Sequence, residues 1–187
     1  MKLISEATAE KLRGGFYTPE PIAAFILRWG VNGSTDYDIL EPSCGDGVFL
    51  EQLKELNLKY KSLTAIELDE VEAEKSNQIP LENKQIINSD FHTYCNNTLQ
   101  RFNLIVGNPP YIRYQFFDRQ QQIEAGDIFI KAGLTYSKLT NAWVSFVVGS
   151  SLLLKEDGGK IGFVLPAEVL QVSFAQQLRS FIAHFYN

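Results

Sequence analysis

Tyr37-Asp38-Ile39-Leu40-Glu41-Pro42-Ser43-Cys44-Gly45-Asp46-Gly47 is the stretch on which the fold turns. Tyr37 to Leu40 reads as a short strand, Glu41 to Gly47 as a tight glycine-rich turn, and Val48, Phe49, Leu50, Leu53 and Leu56 then resume at helical spacing. Strand, glycine turn and helix form the unit in which a backbone approaches a ligand closely while a helix N-terminus faces it. Gly45-x-Gly47 has neither the third glycine of a dinucleotide fingerprint nor the lysine of a phosphate-binding loop. The turn also carries Glu41 and Asp46, which repel a pyrophosphate. The expected ligand is therefore cationic or zwitterionic, such as an amino-acid moiety; the same residues would also make an ordinary tight connection.

Three more strands each end in a chemically pointed residue. Leu63-Thr64-Ala65-Ile66 ends at Glu67, about twenty residues past the glycine turn, where a doubly wound sheet usually holds a ribose diol. A solvated strand-end glutamate is the plain alternative. Asp69 to Asn77 reads as a polar surface helix. Ile86-Ile87 runs into Asn88-Ser89-Asp90-Phe91, where Asp90 can accept a hydrogen bond from an adenine amino group while Phe91 packs on the ring. Leu104-Ile105-Val106-Gly107 stops at Asn108-Pro109-Pro110-Tyr111. Proline lacks an N–H and disfavours helix in the residue before it, so the chain leaves the sheet in a stiff, extended loop. The Asn108 side-chain oxygen and the Pro109 backbone oxygen can then accept from one exocyclic NH2, and Tyr111 offers a flat face for a planar ring. Alternatively this is a Pro-Pro turn with a partly buried tyrosine. Glu41, Glu67, Asp90 and Asn108 thus sit at the carboxyl ends of four consecutive strands, and in an open α/β sheet those ends line one crevice. The expected fold is α/β with a mostly parallel, doubly wound sheet.

The flanks are less explicit. Residues 1–15 carry weak helical character and end at Gly14-Gly15. In Phe16-Tyr17-Thr18-Pro19-Glu20-Pro21, Thr18 suits an N-cap and Pro19 a first helical position, and Ile22, Phe25, Ile26 and Trp29 make an apolar stripe. Ile112 to Thr140 interleaves Arg113, Arg119, Lys131 and Lys138 with aromatic residues, which suits either contact with a nucleic-acid strand or a helical flap. Asn141 to Leu154 reads as a buried helix, Lys160 to Leu165 as a fifth strand, and Ser173 to Phe185 as a last amphipathic helix.

With 187 residues, 45% of them hydrophobic, the chain suits one complete core. No apolar run reaches the roughly 20 residues of a membrane span, and acids break up the N-terminal segment, so neither a membrane anchor nor a signal peptide is expected. Cys44 and Cys95 lack metal-ligand spacing and read as reduced thiols of a cytoplasmic protein. His92 and His184 are isolated and read as structural, with no zinc site expected. A net charge of −5 argues against a whole-surface nucleic-acid binder.

In order, FYTPEPIA (16–23), LEPSCGDGVFL (40–50), IELDE (66–70), NSDF (88–91), NPPY (108–111) and GGKIGFVLP (158–166) span nearly the whole chain. This series resembles the gamma group of N6-adenine DNA methyltransferases of restriction-modification systems. The resemblance implies a Rossmann-like methyltransferase fold over residues 1–187 that uses S-adenosylmethionine and no metal, with 1–33 as an N-terminal cofactor-site segment and 112–140 as a variable insertion. Tyr17 and Thr18 would lie near the methionine part of the cofactor, and Glu41, Pro42, Gly45 and Gly47 would form the turn beside it. Glu67 would bind the ribose, and Asp90 with Phe91 the adenine. Asn108, with Pro109 and Pro110, would hold the target N6, with Tyr111 stacked on an adenine flipped out of double-stranded DNA. Phe163 matches the position whose ring closes on the base from another side. Family members also carry a C-terminal strand hairpin and a target-recognition domain, neither of which is recognisable here. The expectation is therefore a shortened catalytic part that selects DNA through a further domain or a separate specificity chain. The alternatives are a protein-glutamine or RNA-base methyltransferase, or a cofactor-binding fragment inactive alone.

Overall fold

A computed structural model describes residues 18–136, 141–170 and 176–185. In chain order the elements are α1 (Glu20–Val31), β1 (Asp38–Glu41), α2 (Val48–Glu55), β2 (Ser62–Glu67), α3 (Glu70–Gln78), β3 (Lys84–Asn88), α4 (Phe91–Asn97), β4 (Leu104–Gly107), α5 (Arg119–Lys131), α6 (Ala142–Leu152), β5 (Lys160–Phe163) and α7 (Gln176–Phe185). Short 3-10 turns occupy Tyr114–Phe116 and Ala167–Leu170. The strands form one parallel sheet in the order β3-β2-β1-β4-β5. This is the doubly wound α/β sheet read from the sequence, and its order reverses between β1 and β4, where a crevice opens at the strand ends.

Successive strand residues point to opposite faces, so a sheet covered on both sides favours near-continuous apolar runs. Ile39, Leu63, Ala65, Leu104 and Val106 pack under α1 and α2, whereas Leu40, Ile66 and Ile105 pack under α4, α5 and α6 around the fully buried Trp143. Among the described residues no helix is long and apolar enough to cross a membrane.

Several expectations are corrected. The buried face of α1 is Ala23, Ile26, Leu27, Gly30 and Val31, while Phe25 is 70% and Trp29 49% exposed and Ile22 also faces out. The helix axis lies close to the sheet, since a Cβ on Gly30 would stand 2.6 Å from Leu104 Cδ1. Close approach is allowed by Ala23 and Gly30 on the sheet side, and of the expected stripe Ile26 is buried while Ile22, Phe25 and Trp29 turn outward. Pro19, extended at ψ 133°, is the N-cap of α1 in place of Thr18, and no side chain caps the helix. Asp90 does more than end a strand, because its carboxylate caps α4, a helix not expected from the sequence, through the N–H groups of His92 and Thr93. β5 stops at Phe163, two residues early, as Pro166 nears. The segment after Tyr111 contains α5, begun by a full capping box between Asp118 and Gln121. Residues 1–15, Phe16, Tyr17 and the start of the last expected helix (173–175) lie outside the described residues.

Candidate active site

The carboxyl ends of β1 to β4 open on one cavity of about 560 Å³. Its wall contains Glu41 and the turn Pro42 to Asp46, Glu67, Asp90 and Phe91, Asn108 and Pro110, together with Thr18 just ahead of α1. Of the residues singled out from sequence, Gly47, Pro109, Tyr111 and Phe163 stand outside this wall, and Tyr17 lies outside the described residues. Ile112, Phe116, Phe117 and Gln121 of the long connection after β4 complete the far side.

Six carboxylates line the cavity, from Glu41, Asp46, Glu67, Asp69, Glu72 and Asp90, and no lysine or arginine does so among the described residues. Such a wall rejects phosphate and suits a ligand of net positive charge. Glu41 is the extreme case: it is 1% exposed and its Oε2 has no hydrogen-bond partner. Burial, then the neighbouring carboxylates of Glu67 and Asp46, push its pKa well above the usual glutamate range. Glu67 behaves differently, since its Oε2 accepts from the Gly45 N–H and its Oε1 from the Asp69 N–H, both at 2.8 Å. Each oxygen keeps a second lone pair, so the carboxylate braces the glycine turn and can still receive two hydroxyl groups. Burial alone would raise the Asp90 pKa, but bonds from His92, Gln121 and the backbone draw it down to about 2.

The turn needs its second glycine. Gly47 has φ 97°, and a Cβ there would stand 2.4 Å from Ile79 Cδ1 and 2.8 Å from Ser76 Oγ. Ser76 Oγ meanwhile donates to the Gly45 carbonyl at 2.8 Å, tying α3 to the turn. Gly47→Ala is therefore expected to destabilise the fold by about 2 kcal/mol or more, read as a lower urea midpoint at unchanged m-value. Cys44 sits in the same turn, but burial and the nearby Glu41 raise its thiol far above the reactive range, and burial pushes Cys95 up to about 12. Both are free, buried thiols and neither is poised as a nucleophile.

At the end of β4 the Tyr111 hydroxyl lies 2.7 Å from Asn108 Oδ1 and 3.1 Å from the Val164 carbonyl, its proton shared between these acceptors. Ser43 Oγ donates to the Asn108 backbone oxygen at 3.4 Å, linking this loop to the glycine turn. Phe163 pairs with Gly107 in the sheet register, so its ring stands beside the strand end that carries Asn108.

Among the wall residues not assigned to the site from sequence, two are bonded to Asp90. His92, which by its isolation reads as a structural histidine, is buried with Nδ1 3.1 Å from Asp90 Oδ1 and Nε2 2.7 Å from Ser145 Oγ on α6. Gln121 on α5 donates Nε2 to Asp90 Oδ2 at 3.0 Å. The available signals were a histidine two positions after an N-cap aspartate and the spacing Asp118-x-x-Gln121 of a capping box.

The chain shares its fold with S-adenosylmethionine-dependent methyltransferases of known structure. It superposes on the methyltransferase subunit of a type I restriction-modification system from Streptococcus thermophilus with a TM-score of 0.73 at 21% identity, covering 90% of this chain and 38% of that one. A Listeria monocytogenes protein described as a class I methyltransferase of this kind gives a TM-score of 0.72 at 16% identity, over 91% of this chain and 54% of that one. The chain belongs to the Eco57I restriction-modification methylase family, whose profile matches residues 20–187. The type II methyltransferase M.HincII of Haemophilus influenzae is 31% identical over 169 residues, 90% of this chain and 31% of that protein. M.AccI of Acinetobacter calcoaceticus, also a type II methyltransferase, is 27% identical over 173 residues, 89% of this chain and 30% of that protein. The chain thus spans about a third of the length of these relatives. Family and fold together imply S-adenosylmethionine as the cofactor.

Proposed function

We propose that this chain is the catalytic domain of a DNA methyltransferase acting on the exocyclic N6 of adenine. The observation that carries the reading is that Asn108, the acceptor for a target amine, lines the same cavity as Glu41, Glu67 and Asp90.

The residues fit the cofactor. S-adenosylmethionine is net cationic and supplies an electrophilic methyl group from its sulfonium. Glu41, with an unpartnered buried oxygen, suits the cationic methionine end, beside Thr18 and Gly45. The remaining lone pairs of Glu67 suit the ribose hydroxyls, Asp90 the adenine amino group, and Phe91 the ring. A cavity of about 560 Å³ is ample for a ligand of this size.

Adenine N6 is a poor nucleophile because its lone pair is conjugated into the ring. Asn108 Oδ1 and the Pro109 carbonyl would accept its two N–H bonds out of the ring plane, which favours a pyramidal nitrogen with an available lone pair. Asn108 Oδ1 also receives the Tyr111 hydroxyl, and an amide oxygen has two lone pairs to share between such donors. The gain comes from positioning and from stabilising positive charge as it develops on N6. Extruding the base costs a few kcal/mol, which stacking on Tyr111 and Phe163 would help offset.

Double-stranded DNA is the proposed substrate, in line with the restriction-modification family. The carboxylate-lined cavity repels phosphate and the net charge is −5. Sequence choice is accordingly assigned to a recognition domain or a separate specificity chain. A cytoplasmic setting agrees with two buried free thiols.

The test is calorimetric titration with S-adenosylmethionine, followed by incubation with methyl-labelled cofactor and, in parallel, unmethylated duplex DNA, RNA or a glutamine-bearing protein. Binding, with label recovered as N6-methyladenine, is the expected result. Label on a protein glutamine or an RNA base instead would replace the substrate, and a folded protein that fails to bind the cofactor would overturn the reading of the cavity.

A further inference from the structure

Asp90 uses its two oxygens unequally. Oδ1 accepts from the backbone N–H of His92 at 2.7 Å and of Thr93 at 3.3 Å, and it faces His92 Nδ1 at 3.1 Å. It is saturated. Oδ2 accepts from Gln121 Nε2 at 3.0 Å, which leaves it one lone pair. Gln121 is itself pinned at both ends. Its Oε1 accepts from the Asp118 N–H at 3.1 Å and its own N–H donates to Asp118 Oδ1 at 2.8 Å, closing the capping box that starts α5. The amide orientation follows from this chemistry, since reversing it would aim an oxygen at a carboxylate. Both Gln121 and Asp90 line the cavity.

We propose that Gln121 is a positioning residue of the cofactor site: its amide fixes the one oxygen of Asp90 left to meet the adenine amino group, and so ties α5 to the cofactor. This rests on the proposed reading of Asp90 as the adenine acceptor. It gives the segment after Tyr111 a role at the cofactor pocket. The first turn of α5 and the cofactor are then held by one carboxylate, and cofactor binding tightens that turn.

Three variants of the whole chain test this by calorimetric titration with S-adenosylmethionine. Gln121→Glu keeps an acceptor for the Asp118 N–H, and so keeps the cap, but sets a carboxylate against Asp90. Its dissociation constant should rise by roughly tenfold or more. Asp118→Ala removes the cap acceptor yet leaves the Gln121 amide, and should change the constant far less. Asp90→Ser retains an N-cap for α4 but removes the second oxygen, and should weaken binding comparably to Gln121→Glu. The titratable groups bonded into this cluster are Asp90 and His92 on the α4 side and Asp118 and Glu124 on the α5 side. The Gln121→Glu defect should shrink at acidic pH, where the introduced carboxyl group is protonated and donates again; loss of packing alone would give no such recovery. Should Gln121→Glu not fold, Gln121→Met, which drops the donor without adding charge and also gives up the acceptor for the Asp118 N–H, must weaken binding clearly more than Asp118→Ala does. Unchanged affinity in the Gln121 variants beside a weakened Asp90→Ser overturns the inference alone, as does a loss in Asp118→Ala as large as in Gln121→Glu. Unchanged affinity in Asp90→Ser removes the reading of Asp90, and the inference with it.

Discussion

Asn108→Ala is expected to slow methyl transfer by roughly 10²–10³-fold while leaving S-adenosylmethionine affinity within a few-fold, the size of effect seen when one polar group that stabilises developing charge is removed. The substitution deletes the amide acceptor that draws the target nitrogen out of conjugation and stabilises its developing positive charge. The surroundings should hold. The Tyr111 hydroxyl retains the Val164 carbonyl at 3.1 Å, and the Ser43 bond is to the Asn108 backbone, which the substitution keeps. The cofactor partners proposed above come from other elements: Glu41 and Glu67 end β1 and β2, and Asp90 caps α4. Single-turnover transfer to duplex DNA, measured beside calorimetric binding, separates the two quantities. Full transfer would sink the assignment, whereas loss of both transfer and binding would make Asn108 a structural support of the pocket.

The sheet was legible because its central strands, buried on both faces, are almost continuously apolar, and each such run here ends in a residue of another character. Ile39-Leu40 before Glu41 and Leu104 to Gly107 before Asn108 announce both the strand and its functional end. The face of α1 was not legible. Its sequence, EPIAAFILRWGV, is apolar on most sides, so periodicity cannot choose between the Ile22, Phe25, Trp29 stripe and the Ala23, Leu27, Gly30 stripe. What chose was the distance of closest approach to Leu104, a tertiary quantity. His92 and Gln121 escaped for a related reason. Their partner Asp90 lies nearby in sequence for one and thirty-one residues away for the other, and only the packing of α5 over α4 brings the second contact about. The acidic character of the cavity was half visible, since Glu41 and Asp46 stand in the turn itself; Asp69 and Glu72 join them from the start of α3, which is held to the site through the Asp69 N–H on Glu67 and through Ser76 on that turn.

Glu41→Gln is expected to pull stability and cofactor binding in opposite directions. Glu41 sits at the end of β1 with one oxygen lacking any partner and two other carboxylates close enough to raise its pKa. Without a cationic partner at Glu41, the folded protein therefore retains a proton that the unfolded chain releases. Above the ordinary glutamate value of 4.5, the native state binds more protons than the unfolded state. Stability must then fall as pH rises from there toward the elevated native value, and this penalty is absent below 4.5. Glutamine has the same shape and does not titrate, so the variant should lose this part of the pH dependence and unfold at higher urea than the parent as pH increases. The cost appears on binding. A cationic ligand end brought to Glu41 supplies the missing partner and drives off the proton, so titrations in buffers of different ionisation enthalpy should reveal proton release on cofactor binding by the parent and less release by Glu41→Gln. Without a charge to offer, the variant should bind S-adenosylmethionine roughly ten- to a hundredfold more weakly, the range for a hydrogen bond to a charged group. Equal affinity, or equal proton release, would remove Glu41 from the cofactor site and leave its unpartnered oxygen in need of another ligand.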